Sequence, residues 1–182
     1  MRRFRLESCW RLPADVDAVW DELADPAFTW PRWWPYLVAE EVQASGGRTA
    51  ENWSRVRVRV RSPLGWSLRF GLVLESSSEP VPGPLAVPGR AHLRVSGDLV
   101  GTADVVVAAT PDGSEMRLTW AVALARPDAV GRLLRLLPRP ALVAAHAAVM
   151  RAGECGLAAT LNRSSGSSGE TSPPRRSSGG PP

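Results

Sequence analysis

From Leu37 onward, apolar and polar residues alternate for about ninety residues, which is the period of strands with one buried face. Turn signals such as Ser45-Gly46-Gly47 and Pro111-Asp112-Gly113 interrupt the alternation at short intervals. Short alternating segments joined by turns favour neighbouring antiparallel strands. The pattern therefore predicts strands over residues 37–42, 51–61, 66–75, 91–97, 99–109 and 115–125.

Both ends of the chain add elements to this run. An alternating segment and two short helical segments precede it, and a long helical region follows it. Asp15 suits the N-cap of the first helix, Pro31 fits the first turn of the second, and Pro138 and Pro140 break the last region. These elements span residues 4–12, 16–24, 30–34 and 129–161. The chain is thus predicted to be α+β, with a seven-stranded antiparallel sheet, two short helices after strand 1 and a long C-terminal helix.

The widths of the sheet and the helix do not match. Seven strands spaced about 4.8 Å apart make a sheet about 30 Å across, whereas one helix with its side chains covers only about 10 to 12 Å. The sheet must therefore curl around the helix. The remaining space is either packed by bulky side chains, of which the 8 tryptophans are the largest, or left as an apolar cavity.

The length of 182 residues suits one folded domain that needs no disulfide bonds. All 22 basic residues are arginine, which is typical of GC-rich bacterial coding. Residues 163–182 include no aliphatic or aromatic residue to bury, and they carry three arginines and one glutamate. We therefore expect a folded domain at residues 1–162 and a disordered Ser/Gly/Pro/Arg tail at residues 163–182.

Charge and cysteine content exclude several kinds of partner. The densest basic cluster, Arg55 to Arg61, alternates with valine and predicts a solvated strand face, so no nucleic-acid partner is expected. Cys9 and Cys155 are far apart and lack the spacing of a zinc site. We expect no disulfide, no metal and no cofactor.

The sequence also predicts a soluble, cytoplasmic protein. Charged residues interrupt the N-terminal segment, so it lacks the continuous apolar region of a signal peptide. The longest apolar stretch, Ala141 to Met150, is far too short to span a membrane, and no stable membrane insertion is expected. The oligomeric state stays open.

Four short motifs follow one another along residues 4–161. They are Ala14-x-x-x-x-Val19-Trp20-x-x-Leu23-x-Asp25, Trp33-Trp34-Pro35, Gly97-Asp98-Leu99-x-Gly101 and His146-x-x-Val149-Met150-x-x-Gly153-x-x-Gly156-Leu157. In this order they resemble the START-like (SRPBCC) superfamily, and within it the polyketide cyclase/dehydrase-like proteins of bacteria. The resemblance implies a helix-grip fold that encloses an apolar lipid or polyketide-like ligand between sheet and long helix. The Pro-rich segment at 76–90 is longer than expected for this family, and we predict a mobile flap there.

Inward-facing side chains of the strands and of the last helix are the candidate ligand contacts. The aromatic ones are explained equally well as walls for a flat ligand or as core filler. Asn52 and Ser54 alternate in phase with the inward-facing valines of the same strand. They either bring polar groups to the cavity or lie at a solvent-exposed end of the strand. The predicted ligand-binding residues are Trp33, Trp34, Asn52, Trp66, Leu68, Phe70, Leu72, Trp120, Val122, His146 and Met150.

His146 is the candidate catalytic residue. It lies on the apolar stripe of the last helix, so its ring faces the cavity either as an acid or base or simply as a packed, hydrogen-bonded histidine. His92 and Cys9 have the parity of outward-facing residues. The sequence contains no recognisable phosphate loop, nucleophile elbow, zinc-protease motif or paired-carboxylate signature.

Three functions follow as hypotheses. The leading one is binding or carriage of an apolar metabolite, polycyclic or acyl in character. The second is a polyketide cyclase or dehydratase with His146 as general acid and base. The third is a scaffold without a ligand, whose strand Arg55 to Arg61 and arginine-bearing tail dock a partner protein.

Overall fold

The computed structural model of the chain describes residues 3–25, 27–43, 55–83, 85–126 and 128–167. The elements follow one another in the predicted order. The strands are β1 (Arg3–Leu12), β2 (Leu37–Gln43), β3 (Arg55–Arg61), β4 (Ser67–Ser78), β5 (Gly89–Gly97), β6 (Leu99–Thr110) and β7 (Gly113–Leu124), and the helices are α1 (Val16–Leu23), a 3₁₀ turn (Trp30–Arg32), α2 (Ala129–Leu136) and α3 (Arg139–Ser167).

All seven strands form one curved antiparallel sheet in the order β1-β7-β6-β5-β4-β3-β2. The first strand pairs with the last, with Leu6 opposite Trp120. The pairing register shifts between Ala39 and Glu41 and again between Leu74 and Ser76, and irregularities of this kind bend a strand. The predicted seven-stranded helix-grip architecture is confirmed.

Alternation along each strand separates the two faces of the sheet. In β3, Val56 and Val58 are buried on the concave face, whereas Arg55 and Arg57 are exposed on the convex face. The same period buries Trp10 on β1 and leaves its neighbours exposed or half-buried. One continuous apolar core therefore lies on the concave side, where the helices pack.

The helix α3 covers the concave face and contacts β1. The chain breaks between α2 and α3 at Pro138, as predicted, and Pro140 falls in the first turn of α3, where a missing N–H leaves no hydrogen bond unmade. The buried side of α3 follows the helical period. It consists of Ala145, Val149, Met150, Gly153, Leu157 and Leu161.

A cluster of tryptophans joins α3 to the N-terminal half of the chain. The rings of Trp33 and Trp34 stack with centroids 5.6 Å apart, and Trp10 meets Trp34 edge-on at 5.3 Å. The indole N–H of Trp34 donates to the carbonyl oxygen of Val149 at 2.8 Å, and that of Trp33 donates to Glu22 Oε1 at 2.9 Å. These rings occupy part of the hollow between the sheet and α3.

Two glycines of α3 allow this close approach. A Cβ atom on Gly153 would lie 2.6 Å from Trp34 Cε2 and 2.7 Å from Trp10 Cη2, and one on Gly156 would overlap the carbonyl oxygen of Trp33. The two glycines of the fourth sequence motif, Gly153 and Gly156, are thus explained by the close packing of α3 against the tryptophans.

The helix α3 extends beyond residue 162, the last residue of the predicted domain. Residues 163–167 continue α3, and Arg163 Nη2 donates to Thr160 Oγ1 at 3.0 Å. Residues 168–182 lie outside the described residues.

The predicted flap at 76–90 is shorter than expected. The strand β4 extends to Ser78 and β5 begins at Gly89, so both strands use residues that the Pro-rich composition had assigned to a loop. Val81 and Val87 also pair through two backbone hydrogen bonds of 2.9 Å each. The predicted turn at Ser45 to Gly47 lies outside the described residues.

In the described part of the chain, no helix combines the length and apolar character needed to cross a membrane.

Candidate functional site

A cavity of about 170 Å³ lies between the concave face of the sheet and the helices α2 and α3. We call it the first cavity. Nine of the eleven predicted contact residues line it, namely Trp34, Trp66, Leu68, Phe70, Leu72, Trp120, Val122, His146 and Met150. Trp33 is absent from the wall and stacks behind Trp34, and Asn52 lies outside the described residues, as does Ser54.

Several wall residues were not singled out from the sequence. They all belong to the apolar patterns that predicted their strands and helices, but periodicity does not separate a cavity wall from packed core. The additional wall residues include Phe4, Leu6, Trp30, Leu37, Leu99, Leu124, Leu134 and Leu142.

The wall is almost entirely apolar. Phe70 and Trp120 meet edge-to-face, with centroids 6.0 Å apart and planes at 80°. Among the wall residues, Ser62 and His146 are the polar side chains apart from the indole N–H groups. Among the described residues, this wall contains no acidic and no arginine side chain, so the surface it presents is apolar.

His146 lies where α3 faces β1. Its Nε2 is 3.3 Å from Ser8 Oγ on β1, and the ring is partly buried. Burial lowers the pKa of His146 from 6.5 to about 4. The imidazole is therefore neutral at pH 7. It forms one hydrogen bond with Ser8 and adds no charge to the wall of the first cavity.

Metal ligands do not cluster in the described residues: no group of three histidine, cysteine, aspartate or glutamate side chains is placed to share an ion. Cys9 and Cys155 are both exposed. Burial raises the pKa of the Cys9 thiol, with a further contribution from its hydrogen bond to Glu115. Cys9 is thus a weak nucleophile, as its outward parity predicted.

The corner between β5 and β6 fixes one end of the first cavity. Asp98 Oδ2 accepts hydrogen bonds from the backbone N–H of Arg69 at 2.8 Å and from Arg126 Nη1 at 3.1 Å. Arg126 Nη1 also donates to the carbonyl oxygen of Ser67 at 2.7 Å. Gly97 adopts a φ of 118°, which favours glycine, in the turn that places Asp98. The third sequence motif therefore joins the ends of β4, β5 and β7.

A second cavity, of about 120 Å³, lies on the far side of Trp30 and Trp34, which line both cavities. Its wall includes Trp10 and Trp20 together with apolar side chains from β4 to β7, and its polar residues are Asp25, Gln43, Arg55 and Ser77. The sequence did not predict this cavity. Most of its wall belongs to the alternating strand residues, whose pattern does not distinguish a cavity wall from packed core.

The convex face carries the arginine strand. Arg57 pairs with Glu41 at 3.3 Å, and Arg59 and Arg69 both pair with Glu40, at 3.3 and 3.0 Å. The face is therefore less basic than the sequence of β3 suggests. On the same face, His92 Nδ1 lies 2.6 Å from Asp104 Oδ1, consistent with its predicted outward parity.

No protein-family model matches this chain, and no curated protein matches it. Solved structures do match. The Zhui aromatase/cyclase from Streptomyces sp. R1128 is similar over 93% of this chain and 100% of its own, with a TM-score of 0.61 and 18% identity. TTHA0849 from Thermus thermophilus is similar over 87% of this chain and 99% of its own, with a TM-score of 0.55 and 20% identity.

A third match is a two-domain protein. The di-domain ARO/CYC StfQ from the steffimycin biosynthetic pathway is similar over 90% of this chain and 52% of its own, with a TM-score of 0.60 and 18% identity. At these identities the likeness concerns the fold. At that level the expectation drawn from the sequence motifs is confirmed: the chain has a helix-grip fold like that of the solved aromatase/cyclase structures.

Proposed function

We propose that the protein binds an apolar small molecule, of lipid or polyketide-like character, in the first cavity. The observation that carries the proposal is the wall, where apolar side chains line about 170 Å³ of empty space and none of the described wall residues is acidic or an arginine. Atoms that line a void lack contacts on one side, and a ligand that fills the void supplies them. The likeness in fold to aromatase/cyclases supports the same interpretation.

The volume limits what fits without rearrangement. An engineered apolar cavity of about 150 Å³ holds one benzene molecule. The first cavity, at about 170 Å³, therefore accepts about one aromatic ring or a short acyl segment. A polycyclic ligand has to displace side chains, and Trp30 is the candidate because it is only half-buried and stands between the two cavities.

Titration with toluene tests the proposal. Seven heavy atoms at roughly 0.7 kcal/mol each give about 5 kcal/mol of binding free energy, so a dissociation constant below about 1 mM is expected. In ¹⁵N-labelled protein, toluene should move the indole resonance of Trp120 and the ring resonances of His146 and raise the melting temperature. Unchanged spectra up to saturating toluene would count against the proposal.

A matched pair of variants separates cavity binding from surface adsorption. Ala145→Leu adds carbon atoms on the wall of the first cavity, whereas Ala148→Leu adds the same atoms to an exposed position of α3. The first change should weaken toluene binding at least tenfold, and the second should leave it unchanged. Equal effects of the two variants would place toluene elsewhere.

A second candidate function, a polyketide cyclase or dehydratase, is favoured by the pair formed by Ser8 and His146 beside the first cavity and by the likeness to aromatase/cyclases. With a pKa of about 4, His146 is a weak base at neutral pH and is already deprotonated, so it suits hydrogen bonding to a substrate carbonyl better than general acid catalysis. The test is turnover of a linear poly-β-ketone thioester. His146→Ala should slow that turnover at least tenfold, and full turnover by the variant would remove His146 from the mechanism.

A further inference from the structure

Three segments of the chain meet at one end of the first cavity. They are the turn between β3 and β4 at residues 61–66, the helix α2, and residues 137–143 at the start of α3. The wall of the first cavity includes residues from all three segments, namely Ser62, Trp66, Leu134 and Leu142. Arg126 Nη1, just before α2, also donates to the carbonyl oxygen of Ser67 at the start of β4, at 2.7 Å. We call the outer surface of these segments the α2 end.

Large apolar side chains are exposed at the α2 end. Leu136 on α2 is 81% exposed, Leu64 in the turn is 56% exposed, and Val143 on α3 is 41% exposed. Single exposed apolar residues are common on protein surfaces. Here, however, each of the three lies within two residues of a wall residue of the first cavity. The edge of an apolar cavity thus continues outward as exposed apolar surface, which is typical of an interaction site.

The same segments carry arginines that are exposed and unpaired. Arg61, Arg132 and Arg139 are exposed, and none of them forms an ion pair within the part of the chain that the structure describes. The arginines of the convex face differ, because Arg57 pairs with Glu41 and Arg94 pairs with Glu75. Positive charge is therefore compensated on the convex face and uncompensated at the α2 end.

Two aspartates close to the α2 end do not offset this charge, because Arg126 holds them. Asp128 accepts hydrogen bonds from Arg126 Nε at 2.8 Å, and Asp98 accepts one from Arg126 Nη1 at 3.1 Å. The sequence shows the same asymmetry, since residues 129–153 contain four arginines and no aspartate or glutamate. The α2 end thus combines an apolar edge with free positive charge.

A lipid bilayer with anionic headgroups matches both properties. Its phosphates attract arginine, and its interfacial layer takes up exposed leucine side chains. The leucines of the α2 end project from two separate segments, so a protein partner would need a recess in register with each. A fluid bilayer accepts them in any arrangement, and the long arginine side chains reach the headgroups from the apolar edge.

We infer that the α2 end docks peripherally on the surface of an anionic lipid bilayer. Leu64 and Leu136 enter the interfacial layer, and the three unpaired arginines contact the lipid phosphates. Docking turns the first cavity towards a phase that contains apolar molecules. The inference goes beyond the proposed function, because docking requires no guest in the cavity.

The test is co-sedimentation of the full chain with sucrose-loaded vesicles. One set of vesicles contains equal parts of phosphatidylcholine and phosphatidylglycerol, and the other contains phosphatidylcholine alone. At about 0.1 M salt the protein should bind the anionic vesicles at least about tenfold more tightly than the neutral ones. At about 1 M salt, where the screening length falls to about 3 Å, this preference should disappear.

The arginines are tested by a pair of double variants with the same change in net charge. Arg132→Gln with Arg139→Gln should weaken binding to anionic vesicles about 25-fold, because each basic residue near the surface contributes about fivefold. Arg57→Gln with Arg94→Gln removes the same charge from the convex face, where both arginines already have carboxylate partners. This control should retain binding within about threefold of the unchanged protein.

The leucines are tested in the same way. Leu64→Ser with Leu136→Ser should weaken binding at least about tenfold, since both side chains lose their burial in the interfacial layer. Leu85 and Val81, which are 90% and 54% exposed, lie in the loop between β4 and β5, at the other end of β4 from the α2 end. Leu85→Ser with Val81→Ser is therefore the control and should bind like the unchanged protein. All four positions are exposed, and melting temperatures verify that the variants fold.

The inference is overturned if the protein does not bind anionic vesicles at about 0.1 M salt. It is also overturned if both α2-end variants bind as tightly as the unchanged protein, because the contact then lies elsewhere on the chain. Binding to soluble poly-glutamate without binding to vesicles would identify an acidic protein as the partner and would overturn it too. Failure of the proposed function has a different signature, namely that toluene does not move Trp120 or His146 while vesicle binding persists.

Discussion

Ser8 Oγ and His146 Nε2 lie 3.3 Å apart, so a hydrogen bond joins the first strand to the last helix. The partners are separated by 138 positions in the sequence. Burial lowers the pKa of His146 from 6.5 to about 4, which keeps the ring neutral at pH 7. His146 is therefore a wall residue of the first cavity that gains its charge only in acid.

The first prediction concerns stability in acid. Between about pH 6.5 and pH 4 the unfolded chain binds a proton at His146 that the folded chain does not bind, so the free energy of unfolding falls as the pH falls through this window. A pKa difference of this size corresponds to about 3 kcal/mol. His146→Leu should lack that loss, and urea unfolding of both proteins at pH 7 and at pH 4 measures the difference.

Carboxylates that titrate in the same range contribute equally to both proteins, so the comparison isolates His146. Ser8→Ala serves as a second control, because it removes the hydrogen bond and leaves the titrating ring. It should lower stability by about 1 kcal/mol at pH 7 and keep the pH dependence. Titration of the His146 ring near pH 6.5 in the folded protein would contradict the prediction.

The second prediction concerns Glu22. Its Oε1 accepts hydrogen bonds from Thr29 Oγ1 and from Trp33 Nε1, both at 2.9 Å, and so ties α1 to the 3₁₀ turn. Glu22→Ala would leave both donors without this acceptor and should lower the free energy of unfolding by about 2 to 3 kcal/mol. Glu22→Gln keeps a carbonyl oxygen at the same place and should retain most of the stability. Chemical denaturation measures both, and equal losses would show that charge, and not hydrogen bonding, matters.

The sheet could be predicted from the sequence because each strand shows its period locally. The alternation of Val56 and Val58 with arginines predicted both the strand β3 and its faces, and the helical stripe of α3 placed His146 towards the interior. The break between α2 and α3 could be predicted for the same reason, because Pro138 interrupts a helix whatever that helix packs against.

Contacts between distant segments could not be predicted in this way. Nothing in the sequence pairs Ser8 with His146, because the pairing depends on the position of α3 across β1. Trp33 and Trp34 are adjacent residues of the same type, so the sequence does not distinguish their roles. In the structure Trp34 forms part of the wall of the first cavity, whereas Trp33 packs behind it. Composition also misled at 76–90, where prolines and glycines predicted a loop although β4 and β5 extend into the segment.

The third prediction concerns Gly156. A Cβ atom there would overlap the Trp33 carbonyl oxygen, which belongs to the backbone and cannot rotate away. Alanine favours a helix over glycine by about 1 kcal/mol, but displacement of α3 from the tryptophan cluster should outweigh that gain. Gly156→Ala should therefore lower the melting temperature by at least about 5 °C. Cys155→Ala, at an exposed neighbouring position, is the control and should change it little. A stabilised Gly156→Ala protein would contradict the observed approach of α3.

The last prediction concerns the side chains that separate the first cavity from the second. Trp30 and Trp34 line both, but Trp34 is buried and donates to the carbonyl oxygen of Val149 at 2.8 Å, whereas Trp30 is half-buried and donates to that of Leu23 at 3.1 Å. Phe28, two residues before Trp30, has a φ of 51°, which is uncommon outside glycine and indicates local backbone strain. Trp30 is thus the side chain whose movement would join the cavities.

Trp30→Ala should destabilise the protein by about 3 kcal/mol and create one continuous void. The void admits larger guests: one additional ring buries roughly 60 Å² of apolar surface, which at about 25 cal/mol per Å² amounts to about tenfold in affinity. Naphthalene has one ring more than toluene, and its binding, measured by its own fluorescence, should therefore strengthen about tenfold relative to toluene. Trp33→Ala removes an equal side chain that lines neither cavity, and should destabilise the protein without this change in preference. If both variants keep the size preference of the unchanged protein, Trp30 does not separate the two cavities.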